Sequence, residues 1–198
     1  MQLSLGPVQF YWTRERLFDF YTDAADWPVD IVYLGETVCS RRRDMKLDDW
    51  LGVARELQQS GKQVVVSTLT LIESEADLRG LRKLCDNAEF MVEANDHSAL
   101  QRLVSAGLPF VAGPALNLYN LASLHKARGL ERWCMPVEMS RGALDELLQA
   151  SRASGLEAPC EVFAYGHLPL AWSARCFTAR HHDLPKDRCQ FVCQQYPE

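Results

Sequence analysis

The chain has 198 residues, of which 47% are hydrophobic and 24% are charged, and its formal net charge is -5. This length supports one sizeable core. The negative charge argues against non-specific binding to the phosphate backbone of nucleic acids. No run approaches the roughly 18 apolar residues of a membrane span, and no basic segment followed by an apolar one opens the chain as in a secretory signal. We therefore expect a cytoplasmic protein with a single domain over residues 1–198, no membrane span and no nucleic-acid partner.

Short apolar segments alternate with segments of helical periodicity along the whole chain. The predicted strands lie among residues 2–10 and at 30–34, 63–69, 90–92, 109–112, 132–137 and 161–165. Four predicted helices begin after a residue that favours the N-cap position, namely Thr13, Ser74, Asp96 and Ser140. Glycines are predicted to end four helices just before the next strand, at Gly61, Gly107, Gly129 and Gly155.

Repeated strand–helix units predict a parallel sheet covered by helices, either doubly wound or closed as a barrel. The absence of a Gly-x-Gly-x-x-Gly turn after any strand argues against the dinucleotide-binding fold, and seven similar units at short spacing favour a barrel. A complete barrel needs about 250 residues, and no eighth unit is apparent. The sequence therefore predicts an α/β fold that is (β/α) barrel-like and either open or truncated at the C-terminus, and we favour truncation.

A barrel places its functional residues at the C-terminal ends of the strands. Two polar residues at these ends are candidate catalytic groups: Glu36, as a substrate-facing carboxylate, and His167, as an acid–base group. Each has a structural alternative. Glu36 is also suited to form hydrogen bonds with backbone groups of its loop, and His167 is also suited to make a structural hydrogen bond. Other polar residues predicted at the same ends are Ser67, Thr68, Glu93, Asn95, Asn117 and Glu138.

The seven cysteines fall into two groups. Cys176, Cys189 and Cys193 lie in a cysteine-rich loop at residues 167–193, and Cys39 follows a strand end on the same predicted barrel face. Four thiolates suit Zn²⁺ or an iron–sulfur cluster. The paired C-x2-C knuckles of a zinc ribbon are absent, so the spacing leaves zinc, a cluster and no metal all open. The remaining three are predicted to be buried structural cysteines, at Cys85, Cys134 and Cys160.

Three consecutive arginines at 41–43 follow Cys39 closely. Such a run is usually a solvated surface patch. Beside a metal ligand, the alternative is a site for an anionic substrate or for a partner.

Two motifs in the last quarter of the chain, E-x-F-x-x-G at 161–166 and S-A-x-C at 173–176, are similar to the signature of the collagenase-like peptidase family. Within that family the chain resembles the iron–sulfur branch that acts in ubiquinone biosynthesis. The likeness covers essentially the whole chain. It includes Y-L-G-E-x-V-C-S at 33–40, R-W-C-M-P-V-E at 132–138, S-A-R-C-F-T-A-R at 173–180 and P-K-D-x-C at 185–189.

The resemblance implies a barrel-type fold and a [4Fe–4S] cluster held by four cysteines, which map to Cys39, Cys176, Cys189 and Cys193. It also implies a heterodimer with a UbiU-like partner. That complex would hydroxylate ubiquinone precursors without oxygen, with prephenate as a candidate hydroxyl donor.

The sequence departs from members named as peptidases, which carry an extra cysteine soon after the signature glycine. This chain has G-H-L-P at 166–169 instead. A metal-dependent peptidase or hydrolase is therefore the alternative function, and a non-catalytic partner subunit is a second.

Overall fold

A computed structural model describes residues 1–169 and 171–197. Leu170, which falls in the predicted loop 167–193, and Glu198, at the end of the predicted domain, lie outside the described residues. The strands β1 to β7 are Ser4–Leu5, Ile31–Leu34, Gln63–Ser67, Met91–Ala94, Phe110–Ala112, Leu130–Cys134 and Cys160–Glu161. The helices α1 to α7 are Arg14–Ala24, Leu47–Gln59, Glu75–Cys85, His97–Ala106, Leu121–Lys126, Arg141–Ala153 and Phe177–His181. Short 3₁₀ turns cover Pro114–Leu116, Lys186–Arg188 and Val192–Gln195.

The seven strands form one parallel sheet in the order of the chain, from β1 to β7. Helices α1 to α6 each connect one strand to the next, as short parallel crossovers require. The sheet curls into a half-barrel that is not closed, which confirms the predicted (β/α) barrel-like class. In the described ranges no helix is long and apolar enough to cross a bilayer.

The core is divided by the sheet into a helix-facing side and a concave side. Two large clusters lie between sheet and helices, one around Trp133 and the other around Leu34 and Leu57. Burying each such side chain stabilises the fold by about 1.5–3 kcal/mol. The concave side holds a smaller apolar cluster, formed by Ile31, Tyr33, Val65 and Val111.

One carboxylate on the concave side links the two edges of the sheet. Glu161 on β7 accepts a 2.7 Å hydrogen bond from Ser4 Oγ on β1 and a 2.8 Å bond from the Tyr33 hydroxyl on β2. Arg132 Nε on β6 lies 3.6 Å from the same carboxylate. Side chains therefore join β7 to β1 where the described backbone pairing does not.

The predicted helix starts are confirmed. The side chains of all four predicted N-cap residues accept a backbone N–H from the first turn of their helix, at Thr13, Ser74, Asp96 and Ser140. Helix α4 ends as predicted at Gly107, whose φ of +65° is the left-handed conformation that glycine adopts without strain.

Several predicted strand boundaries were wrong, most clearly that of the last strand. Strand β7 covers only Cys160–Glu161 instead of residues 161–165. Its neighbour β6 ends at Cys134 instead of residue 137, so the ladder offers no partner beyond Glu161. The apolar residues Phe163 and Tyr165, two positions apart, are 37% and 102% exposed, so their alternation does not mark a buried face. Strand β4 runs on to Ala94, beyond the predicted end at residue 92.

Candidate functional site

Cys176, Cys189 and Cys193 lie in a C-terminal segment, residues 171–197. This segment packs against the loops following β1, β2 and β3. The indole N–H of Trp12 donates a 2.8 Å hydrogen bond to the Pro197 carbonyl, and the rings of Tyr11 and Phe191 are 5.6 Å apart. Lys186 forms an ion pair with Glu73, which follows β3. All these loops leave the C-terminal ends of their strands, so the cysteine segment lies at the barrel face where function was predicted.

Cys193 lies near enough to Cys176 and Cys189 for their charges to act on its thiol. Cys193 is half-buried; burial raises the pKa of its thiol, and the neighbouring Cys176 and Cys189 add to this while Arg42 opposes it. The Cys176 sulfur is the N-cap of α7 and accepts the backbone N–H of Ala179 at 3.4 Å. The predicted irregular loop thus contains a short helix, and a candidate ligand is its N-cap residue.

Cys39 reaches the same region through the loop after β2. The Glu36 carboxylate accepts the backbone N–H groups of Val38 and Cys39 at 2.8 and 2.9 Å, which fixes the turn that carries this cysteine. Arg42, in the next turn, donates its backbone N–H to the Cys39 carbonyl at 3.0 Å. Through Arg41, the loop that carries Cys39 therefore contacts a segment more than 130 positions away in the sequence.

Two of the three consecutive arginines connect this loop to the cysteine segment. Arg41 Nη1 donates to the Cys189 sulfur at 3.4 Å and also bonds to the Lys186 carbonyl. The Arg42 guanidinium lies within hydrogen-bonding reach of Cys193, and its side chain is 10% exposed. The interpretation of this run as a solvated patch is wrong for these two residues, because both are held against thiols.

The donor set fits a soft metal or an iron–sulfur cluster in its chemistry. Its four candidate sulfur ligands are partly buried, and the adjacent guanidiniums can offset thiolate charge. Within 1–169 and 171–197, no three His, Cys, Asp or Glu side chains are close enough to hold a metal ion as they stand. Binding therefore requires these sulfurs to draw closer together.

The two predicted catalytic residues lie in different surroundings. Glu36 is half-buried behind the Cys39 loop, and burial raises the pKa of its carboxyl while Arg42 and the two backbone N–H groups lower it. His167 is exposed, with its ring 6.4 Å from that of Phe10. No hydrogen bond joins Glu36 to His167 among the described residues. The two backbone N–H groups that Glu36 accepts are the structural contacts that the sequence left as its alternative.

Four of the other predicted strand-end residues form a buried group. Glu93 accepts a 2.9 Å hydrogen bond from the Asn95 amide, and the backbone N–H of Asn95 donates to Thr68 Oγ1 at 2.9 Å. Ser67 faces the Glu93 carboxylate. Glu138 lies apart from this group, where it accepts a 3.0 Å bond from Tyr119.

The three cysteines predicted to be structural lie in or beside the core. Cys85 is 2% exposed on α3, and burial raises its pKa to about 11. Cys134 is buried in β6, and Cys160 in β7 packs against the core cluster, where burial raises its pKa to about 11. Cys85 and Cys134 are therefore buried as predicted, whereas Cys160 is only half-buried.

The fold and the site together define a barrel-like α/β protein whose C-terminal segment presents cysteines at the C-terminal strand ends. Residues 14–197 match the model of peptidase family U32. The chain therefore belongs to peptidase family U32, which confirms the resemblance to the collagenase-like family drawn from the motifs.

Proposed function

We propose that this chain is the iron–sulfur subunit of an oxygen-independent hydroxylase that acts on ubiquinone precursors together with a UbiU-like partner. The observation that carries the proposal is that Cys193 lies near Cys176 and Cys189 in a segment that contacts the loop of Cys39 through Arg41. The resemblance to the ubiquinone-biosynthesis protein UbiV, within the family to which the chain belongs, supplies the substrate class and the partner.

In this proposal Cys39, Cys176, Cys189 and Cys193 hold a [4Fe–4S] cluster. When bound, the cluster supplies one-electron redox chemistry. Glu36 keeps the Cys39 loop in place through its two backbone N–H bonds. His167, exposed beside the same barrel face, is free to exchange a proton with a substrate held there.

The first test is the iron and acid-labile sulfide content after anaerobic purification, with an absorption spectrum. We expect about four of each per chain, since a [4Fe–4S] cluster has that composition. Cys39→Ala should lose iron and sulfide. The matched control is Cys85→Ala, which removes a buried thiol on α3 outside the proposed site and should keep both.

The second test is ring hydroxylation of a ubiquinone precursor by the complex with the UbiU-like partner, supplied with prephenate. His167→Ala should lower hydroxylation while leaving the iron content unchanged. Full hydroxylation by this variant with an intact cluster would favour a subunit that leaves the chemistry to its partner.

A metal-dependent peptidase is the second candidate, and the match to peptidase family U32 is the observation that favours it. It predicts one zinc ion with an open coordination position and cleavage of amide bonds. Zinc without sulfide in the anaerobically purified protein would overturn the iron–sulfur proposal and favour the peptidase function.

A further inference from the structure

The loop after β2 places two successive guanidiniums against two different cysteines. Arg41 Nη1 lies 3.4 Å from the Cys189 sulfur, and the Arg41 guanidinium also lies 5.2 Å from the centre of the Phe191 ring. Its second anchor is the Lys186 carbonyl, in the turn just before Cys189. Three contacts from one segment therefore fix the direction of this side chain.

Arg42 is held from the opposite side. Its Nη1 donates to the Gln9 carbonyl at 2.8 Å and lies 3.6 Å from the Glu36 carboxylate, while its guanidinium is 5.3 Å from the Tyr11 ring centre. The same guanidinium reaches Cys193. Its Nε is buried and, among the described residues, has no partner in good hydrogen-bond geometry. A buried N–H left without an acceptor is costly, so this donor suits an acceptor that arrives with a ligand.

Resting on the proposed function, we propose that Arg41 and Arg42 are the positioning residues that set the reduction potential of the cysteine site. Their guanidiniums donate hydrogen bonds to the sulfurs of Cys189 and Cys193, and the buried Arg42 Nε is a further donor that an acceptor on a bound group would satisfy. Hydrogen bonds and positive charge at cluster sulfurs favour the reduced form, because reduction adds one negative charge to the site.

Neighbouring Arg43 provides a matched control. It carries the same charge in the same loop but is exposed, and its Nε bonds to the Ser40 carbonyl at 3.4 Å. R43Q therefore removes one positive charge near the site without removing a contact to a thiol. A difference between R43Q and the other two variants isolates the direct contacts from the general effect of charge.

The experiment is a dithionite titration of the anaerobically purified protein, followed by its absorption, for wild type, R41Q, R42Q and R43Q. Dithionite supplies the single electron that the site accepts. We expect R41Q and R42Q each to lower the equilibrium constant for reduction at least tenfold, which is about 59 mV for one electron. We expect R43Q to change it less than threefold. Iron content and thermal unfolding are measured on each variant.

Equal shifts of the reduction potential in all three variants, or no shift in R41Q and R42Q, would overturn this inference. Neither result would contradict the proposal that the chain binds a cluster. Wild type without iron and sulfide would overturn both the proposed function and this inference. If R41Q or R42Q does not fold, R41K and R42K replace them. The lysine variants keep the charge but lose the planar guanidinium. A shift of their reduction potential to more negative values, larger than that of R43Q, supports the proposal. A reduction potential equal to that of wild type overturns it.

Discussion

The Glu36 carboxylate accepts the backbone N–H of Cys39 at 2.9 Å and thereby fixes the turn that carries a candidate ligand. The same oxygen accepts the N–H of Val38 and faces Arg42, so one carboxylate stabilises both the turn and the arginine beside it. A residue at a barrel strand end that looks catalytic in the sequence thus acts on the position of its neighbours.

Glu36→Ala should destabilise the protein by about 1–3 kcal/mol, because two backbone N–H groups lose their acceptor in a half-buried loop. The free energy of unfolding from urea titration measures this loss. Both bonds reach the same oxygen, and Glu36→Gln retains a carbonyl oxygen that can accept them, so its loss should be clearly smaller. Equal losses in the two variants would contradict the role assigned to the acceptor.

Gly113 leaves room for the buried group around Glu93. Its φ is −75°, which suits any residue, but a Cβ at this position would overlap Asn95 Oδ1 and lie 2.9 Å from Glu93 Oε1. Gly113→Ala should therefore cost about 1–3 kcal/mol of unfolding free energy, as overpacking a core does.

Gly52 serves as the control for that substitution. A Cβ at Gly52, inside α2, meets no atom within 4 Å. Because alanine favours a helix interior over glycine, Gly52→Ala should gain up to about 1 kcal/mol. A neutral Gly113→Ala, measured in the same urea titration, would show that Asn95 can move aside without cost.

The sequence predicted the fold well because its signals are local. Helix caps such as Thr13 and Asp96 act within three residues, and they were confirmed. The last strand was predicted too long because Phe163 and Tyr165 alternate as in a strand, but β6 ends at Cys134 and offers them no neighbour. Strand pairing is a long-range property, so a pattern within one segment does not reveal where a neighbour ends.

The candidate site was predictable only in part, for the same reason. The spacing of Cys176, Cys189 and Cys193 marked these three residues as candidate ligands, and Cys193 lies near the other two. The separate roles of Arg41 and Arg43 were hidden, since adjacent arginines look alike in a sequence. Their difference comes from Cys189, which lies 148 positions from Arg41.

Tyr33 and Glu161 should be energetically coupled across the opening of the barrel. The Tyr33 hydroxyl donates to Glu161 Oε2 at 2.8 Å, and burial, together with this carboxylate, raises the pKa of Tyr33. A double-mutant cycle with Tyr33→Phe and Glu161→Gln should give a coupling of about 0.5–3 kcal/mol.

Ser4→Ala provides the comparison for this cycle, because Ser4 is exposed and bonds to the other oxygen of the same carboxylate. Its coupling to Glu161→Gln should be smaller, since an exposed hydroxyl regains a bond to water when its partner is removed. Additive effects of Tyr33→Phe and Glu161→Gln, within about 0.3 kcal/mol, would show that the bridge across the sheet does not stabilise the fold.

Glu93 should make the stability of the protein depend on pH. It is 5% exposed, and burial raises the pKa of its carboxyl above the ordinary 4.5, although Ser67 and Asn95 oppose the shift. As pH rises past 4.5, the unfolded chain releases this proton while the native protein still holds it. The contribution of Glu93 to stability is therefore complete below pH 4.5 and is lost as pH rises through the native pKa.

Glu93→Gln cannot ionise and should escape that loss. The unfolding free energy of the variant, relative to wild type, should therefore rise from pH 4.5 to pH 8, as measured by urea titration at each pH. Glu131→Gln, at an exposed position on β6, should show no such trend. If the difference in unfolding free energy between Glu93→Gln and wild type is constant over this range, the Glu93 carboxyl keeps its ordinary pKa in the native protein. That result would contradict the effect expected from its burial.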